Sequence, residues 1–328
     1  MEINKISNDT QKSMKTRIIT GIVLALIIFP CVILGDWFFV GLIFCIVGIA
    51  LYEVIKTTKN KYPPLFIILL YVFTYSFVFW VFFQKESSVL KPAAIYENGH
   101  FIMYDVRIST MGVGFLIAML FFSSIVSQRT DLKDVFYLFT MSLFIGFAGQ
   151  SLLFLRFCPE GLTTPDFTYK DNLSSTLLIF YILSGAMLND ICAYFVGILF
   201  GKHKMAPIIS PKKTWEGFFG GIILSAVLTT SFTLICDNIF HTPILKGILD
   251  TEHWYFVILV SICLGLSSVL GDLMFSSIKR SFEIKDFGTI FPGHGGVLDR
   301  FDSVMMTAIL SSIMITFIYY NPIFGVIA

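Results

Sequence analysis

Charge is scarce in this chain. Of 328 residues, 14% are Asp, Glu, Lys or Arg and 56% are hydrophobic, with a mean hydropathy of +0.81. Soluble domains carry about 25% charged residues. The deficit excludes an ordinary water-soluble globule and points to a polytopic, all-α membrane protein. A net charge of +1 leaves no basic surplus for a nucleic-acid partner. Cysteine is also sparse. Cys31, Cys45, Cys158, Cys192, Cys236 and Cys263 form no CxxC pair and mostly sit in apolar runs, so they read as small buried residues, not as disulfides or metal ligands. The five histidines lack the HExxH spacing of helical zinc sites. There is no internal repeat, which counts against a transporter built from matching halves, and no low-complexity segment.

What is present is a series of apolar runs. They predict nine transmembrane helices, at about 18–34, 37–55, 64–83, 111–126, 135–157, 175–201, 217–236, 254–276 and 303–320. The first run is not followed by a small-x-small cleavage site, and further spans succeed it, so it reads as a retained helix. Residues 1–17 are a polar, basic tail, and 84–110 is a longer polar loop of mixed charge.

Nine spans can be tested by the distribution of basic residues. With the N-terminus cytoplasmic, all of the 23 Lys and Arg fall on cytoplasmic segments except Lys85, Lys91, Arg107, Arg156, Lys170 and Lys246. One missed helix would scramble that alternation. The same topology puts two polar loops, 202–216 and 277–302, on the cytoplasmic side.

The second of these closes the densest polar stretch, Gly271–Asp302. On a helix Asp272, Ser276, Lys279 and Arg280 share a face. A carboxylate at membrane depth costs about 2.5–3.5 kcal/mol and needs a partner or a task. It reads either as a salt bridge to Lys279 or Arg280 or as a metal ligand. Asp299 and Asp302 lie three apart and would project the same way from a helix. They are either a solvated helix N-terminus or oxygen ligands for a hard cation such as Mg²⁺. Between them and the helix, Gly295 and Gly296 follow His294 in a turn whose backbone N–H groups can approach an anion, or which simply joins two helices.

In the first loop, Ser210 reads as an N-cap and Pro211 as the first residue of a helix. Lys212 and Lys213 then fall in the first turn, where cations make sense if an anion occupies the helix end; the bland alternative is obedience to the positive-inside rule. Glu216 is placed to tether one of the lysines. Asp190 lies inside an apolar run on one face with Tyr194, Gly197 and Gly201. The pairs Gly197/Gly201 and Gly217/Gly221 permit close helix packing that would aim Asp190 inward. These residues suit a phosphorylated substrate with a divalent metal and name no reaction.

Ser276–Asp302, SSIKRSFEIKDFGTIFPGHGGVLDRFD, resembles the signature of the phosphatidate cytidylyltransferase (CDP-diacylglycerol synthase) family. That signature is S-x-aliphatic-K-R, K-D four residues on, P-x-H-G-G and D-R-x-D, and every fixed position is met. Asn189–Gly221 is similar to a second block of the family, whereas residues 1–160 share only their apolar spans. The resemblance implies a C-terminal catalytic membrane domain, 175–328, behind N-terminal helices 18–174. It implies transfer of CMP from CTP to phosphatidate, giving CDP-diacylglycerol and pyrophosphate. By motif position it implies Asp272, Asp299 and Asp302 as ligands of Mg²⁺, with a second cation an option, and Lys279 and Arg280 as catalytic cations. Lys212, Lys213, Lys285, His294, Gly295, Gly296, Arg300 and Asp190 would bind substrate. It also implies a homodimer. Compactness points to a bacterial plasma (inner) membrane, with the endoplasmic reticulum as the eukaryotic alternative. An ether-lipid cytidylyltransferase, a polyprenol kinase and a transporter of phosphorylated solutes remain the competing readings.

Overall fold

The computed structural model describes residues 8–86, 95–97, 100–102, 114, 117–118, 121–122, 131–157, 172–245, 247–291 and 295–320. Eight helices are described: α1 (Asn8–Leu34), α2 (Asp36–Thr57), α3 (Pro64–Glu86), α4 (Leu132–Phe157), α5 (Asn172–Phe200), α6 (Trp215–Asn238), α7 (Trp254–Ser281) and α8 (Leu298–Tyr320). Two antiparallel hairpins accompany them, β1 (Ile95–Glu97) with β2 (His100–Ile102) and β3 (Lys204–Ala206) with β4 (Ser210–Thr214). Six helices, α2 and α4–α8, are long and apolar enough to cross a membrane. The expected fourth span, 111–126, lies outside the described residues but for isolated positions.

The chain divides into two compact units, residues 1–46 with 151–328, and residues 47–150. That division falls inside α2 and α4, because packing follows three-dimensional neighbours and not the order of spans. The smaller unit has a dense apolar core, with Leu51, Leu70, Phe73, Leu138 and Ile145 fully buried. Phe73 stacks on Phe139 at 5.4 Å between ring centroids. At its polar edge Asp134 accepts hydrogen bonds from Asn60 and from the Tyr62 hydroxyl, and burial, reinforced by that carboxylate, pushes the hydroxyl up to about 12.

In the larger unit α5 packs on α6 and α7, and α8 packs on α7 and α5. The α5–α6 approach is close: a Cβ on Gly217 would lie 3.2 Å from Gly197 Cα and 2.8 Å from the Ala193 carbonyl. Small residues let the α5 and α6 backbones touch, as in other close membrane crossings. Away from that seam these two helices are little covered, 22% and 28% buried against 61% for α4. Gly35 turns the chain between α1 and α2 with φ +66°, and a Cβ there would meet the buried Arg156 guanidinium at 2.1 Å. Arg156 Nη1 donates to Ser175 Oγ at 2.6 Å, which fastens α4 to α5.

Two local expectations are corrected. Ser210 does not cap a helix, and Lys212 and Lys213 do not occupy a first turn. All three lie on β4, and α6 begins at Trp215. Thr214 is the cap: its backbone is extended (φ −123°, ψ 153°) and its Oγ1 accepts from Gly217 N at 3.2 Å. Ser210 and Thr214 are both good caps, but pairing of Thr214 with Lys204 keeps the segment between them extended. Pro211, which lacks an N–H, is tolerated at the edge of so small a ribbon. The second correction is that α7 and α8 reach further into the polar stretch than the apolar runs do. Lys279 and Arg280 end α7, and Asp299 opens α8, each with the charge its helix dipole favours.

Candidate active site

A cavity of about 640 Å³ lies among α5, the β3–β4 hairpin, α6 and α7. Its polar wall includes Asn189 and Asp190 from α5, Lys204, Lys212 and Lys213 from the hairpin, and Asp272 from α7. Its apolar wall includes Tyr194, Ile198 and Phe218. Tyr194 and Ile198 also lie on the exposed apolar face of α5. The cavity thus joins charged groups to a surface suited to hydrocarbon.

The charges are arranged as crossed pairs. Lys213 Nζ lies 2.7 Å from Asp272 Oδ2, while Asp272 Oδ1 accepts from Ser276 Oγ at 3.1 Å. Lys279 Nζ pairs instead with Asp299 Oδ1 at 3.0 Å. Asp272 therefore has a partner from the other polar loop, not from the next turn of its own helix. Arg280 Nε donates to the Ile209 carbonyl at 3.2 Å, which ties the end of α7 to the tip of the hairpin.

Asp299 and Asp302 do not share a partner. The Asp299 carboxylate is buried in the first turn of α8, where its Oδ2 accepts from Phe287 N at 2.8 Å and Gly296 N at 2.9 Å. With Lys279 on the other oxygen, it ties Phe287, Gly296 and the end of α7 to the start of α8. Gly295 (φ +85°) passes so close that a Cβ would lie 2.9 Å from Asp299 Oδ2. Asp302 lies on the side of α8 that meets α7, where a Cβ on Gly271 would strike the Asp302 carbonyl at 2.6 Å. Its carboxylate is within electrostatic reach of Asp272 and Asp190. Asp190 accepts from Ser268 Oγ on α7 at 3.2 Å and Ser303 Oγ on α8 at 3.3 Å. Asp190, Asp272 and Asp302 thus bring three helices to one region.

Of the residues predicted for the site, Asp190, Lys212, Lys213 and Asp272 line the cavity, and Lys279, Arg280, Asp299 and Asp302 do not. Lys285 and Arg300 are exposed and do not line it. Gly296 contributes an N–H to Asp299. His294 lies outside the described residues. Lys204, Ser268 and Ser303 were missed. Ser268 was within reach of sequence reasoning, since it lies one helical turn before Asp272 on the same face. Glu216 tethers His203 and neither lysine.

The donor set fits a hard cation in kind: three carboxylates of like charge repel unless something positive offsets them. Among the described residues, however, no three His, Cys, Asp or Glu side chains close round a single point. Asp299 is already engaged by Lys279 on one oxygen and by Phe287 N and Gly296 N on the other.

A family model described as the cytidylyltransferase family matches residues 15–318 of this chain. The chain belongs to that family. Among similar members of the cytidylyltransferase family, the phosphatidate cytidylyltransferase of Bacillus subtilis (strain 168) is 30% identical over 295 residues, covering 89% of this chain and 94% of that protein. The phosphatidate cytidylyltransferase of Staphylococcus epidermidis (strain ATCC 35984) is 42% identical over 148 residues, covering 45% of this chain and 51% of its own length. That of Staphylococcus haemolyticus (strain JCSC1435) is 40% identical over 148 residues, with the same shares. The staphylococcal matches thus span about half of those proteins, and the match to the Bacillus relative spans nearly all of it.

Proposed function

We propose that this protein is a nucleotidyltransferase that moves CMP from CTP to phosphatidate, forming CDP-diacylglycerol and pyrophosphate in phospholipid biosynthesis. The observation that carries the reading is the cavity itself, with Lys204, Lys212, Lys213 and Asp272 on one wall and Tyr194, Ile198 and Phe218 on another. A polyphosphate needs the first wall and an acyl chain the second.

An oxygen of the lipid phosphate bonds to the α-phosphorus of CTP. The bond from that phosphorus to the bridging oxygen breaks, and pyrophosphate leaves. No protein nucleophile is required, so the chain contributes positioning and charge neutralisation. Lys204, Lys212 and Lys213 would hold the triphosphate. Asp272 and Asp302, with Asp190 beside them and Asp299 on exchange of Lys279, would hold Mg²⁺. A bound divalent ion supplies charge for the α-phosphate and the leaving group. Lys279 and Arg280 brace the two polar loops, Gly295 and Gly296 belong to that brace through the Asp299 carboxylate, and Arg300, Lys285 and His294 are proposed as the outer part of the phosphate cradle.

The same proposal includes nine spans, a cytoplasmic N-terminus and active site, residence in a bacterial plasma membrane, and a homodimer. The catalytic groups all fall within residues 175–328. The deciding experiment incubates purified protein in detergent with Mg²⁺, labelled CTP and phosphatidate. CDP-lipid with equimolar pyrophosphate is the expected product. Recovery of unchanged CTP, or of CDP with a doubly phosphorylated lipid, would overturn the reading.

A further inference from the structure

The hairpin carries three of the cavity's cations on strands of three and five residues. A two-stranded ribbon of that size has little stability of its own in water, so its geometry is imposed by what it touches. Lys213 meets Asp272 inside the cavity, and Arg280 holds the tip at Ile209. The root is held by Glu216. Its two carboxylate oxygens each accept from His203 N at 3.2 Å, and His203 Nδ1 lies 2.6 Å from Oε1. Trp215 N closes the same root by donating to the His203 carbonyl at 3.0 Å.

An acidic residue in the first turn of a helix is explained well enough by the dipole alone. Glu216 goes further, reaching back 13 residues to the point where the chain leaves α5. It does not line the cavity. The His203 side chain is 78% exposed and that of Glu216 26%, so the pair lies at the surface and outside the apolar core. What it constrains is the direction in which the hairpin leaves the two helices.

We propose that Glu216 is a positioning residue. Through His203 it fixes the root of the hairpin and thereby sets Lys204, Lys212 and Lys213 around a polyphosphate. The proposal rests on the function proposed above, which supplies CTP as the ligand. It separates two jobs within one short motif: the lysines touch the anion, and the glutamate three residues beyond them holds the lysines in place.

The test compares the full-length wild type with Glu216→Ala, Glu216→Gln and His203→Ala in detergent. Glu216→Ala raises the KM for CTP about tenfold, as expected of a site whose charges are displaced rather than deleted. It leaves the KM for phosphatidate and the melting midpoint close to those of the wild type. Glu216→Gln, which keeps an acceptor for His203 N–H, restores most of the loss. Combined with Lys212→Ala and Lys213→Ala, Glu216→Ala adds little, because it acts through those lysines. An unchanged KM for CTP, full additivity, or equal damage to both substrates would overturn the proposal. Binding of inorganic tripolyphosphate to the same proteins reads the hairpin without turnover: it weakens in Glu216→Ala if the proposal holds and is unchanged if it does not. A wild type that binds tripolyphosphate but makes no CDP-lipid would overturn the function and leave the role of Glu216 standing or falling on that binding difference.

Discussion

The two polar loops of the larger unit treat their charges in opposite ways. The β3–β4 hairpin turns its charges outward: Lys204, Lys212 and Lys213 all line the cavity, and the hairpin is held in place by groups on other elements. The connection from α7 to α8 turns described groups inward, with the backbone N–H groups of Phe287 and Gly296 gathered onto Asp299. The loop richest in motif is therefore the one built as a brace, and the plainer hairpin presents the cations. Density of charged residues in sequence marks where a site is organised, and not which atoms the substrate meets.

Substitutions can break this comparison, and the largest effect is expected where both loops converge. Asp272→Asn removes the carboxylate that holds Lys213 and would bear on the cation, so turnover falls by about 100-fold or more, the scale seen when a transition-state charge partner is lost. The folded protein survives in the same yield. Radiolabelled CTP incorporation and a melting curve on one sample check both halves. Asp299→Asn should behave differently. It strands Lys279 (14% exposed) and weakens the acceptor for two N–H groups, and breaking a buried pair of this kind costs about 3–5 kcal/mol. Both stability and activity fall, and an unchanged melting midpoint would refute the brace.

Next in size is the hairpin itself. Lys212→Ala with Lys213→Ala raises the apparent KM for CTP by about 10- to 100-fold, given about 1.5–3 kcal/mol for each charged hydrogen bond. The KM for phosphatidate changes less; initial rates over both substrates separate the two. Gly217→Ala sits at the root of the same hairpin but acts through packing. Its Cβ would press on Ala193 and Thr214, and overpacking of this sort costs about 1–3 kcal/mol. Thermal unfolding in detergent should show the loss. The smallest effect is reserved for the other unit. Tyr62→Phe deletes one hydrogen bond to Asp134, worth about 0.5–1.5 kcal/mol, and leaves the kinetics untouched.

The helices were legible because an apolar run of about 20 residues in a chain this poor in charge has few other readings. The α5–α6 seam was legible for a similar reason, since two GxxxG pairs leave the backbones free to meet. The hairpin was not. SPKKT carries a cap residue at each end, and only pairing with residues 204–206 decides that Thr214 caps α6 while Ser210 stays in a strand. The partners of Asp272 and Asp299 were hidden for a different reason. Helical spacing offered Lys279 to Asp272, but Lys213 arrives from 59 positions away in sequence and takes it. Spacing also offered Asp299 and Asp302 to one cation, whereas a loop that doubles back claims the first of them. Periodicity reports which side chains share a face; it is silent about what the rest of the chain brings to that face.

The crossed pairing of Lys213 with Asp272 and Lys279 with Asp299 bears on how such a protein is made. Four polar side chains of this kind near hydrocarbon would oppose insertion if each entered alone. Matched two by two across different elements, they are offset only when the β3–β4 hairpin, α7 and α8 have come together. Assembly of the last third of the chain is thereby coupled to burial of its charges, and a copy in which those elements fail to meet leaves the same four charges without their partners.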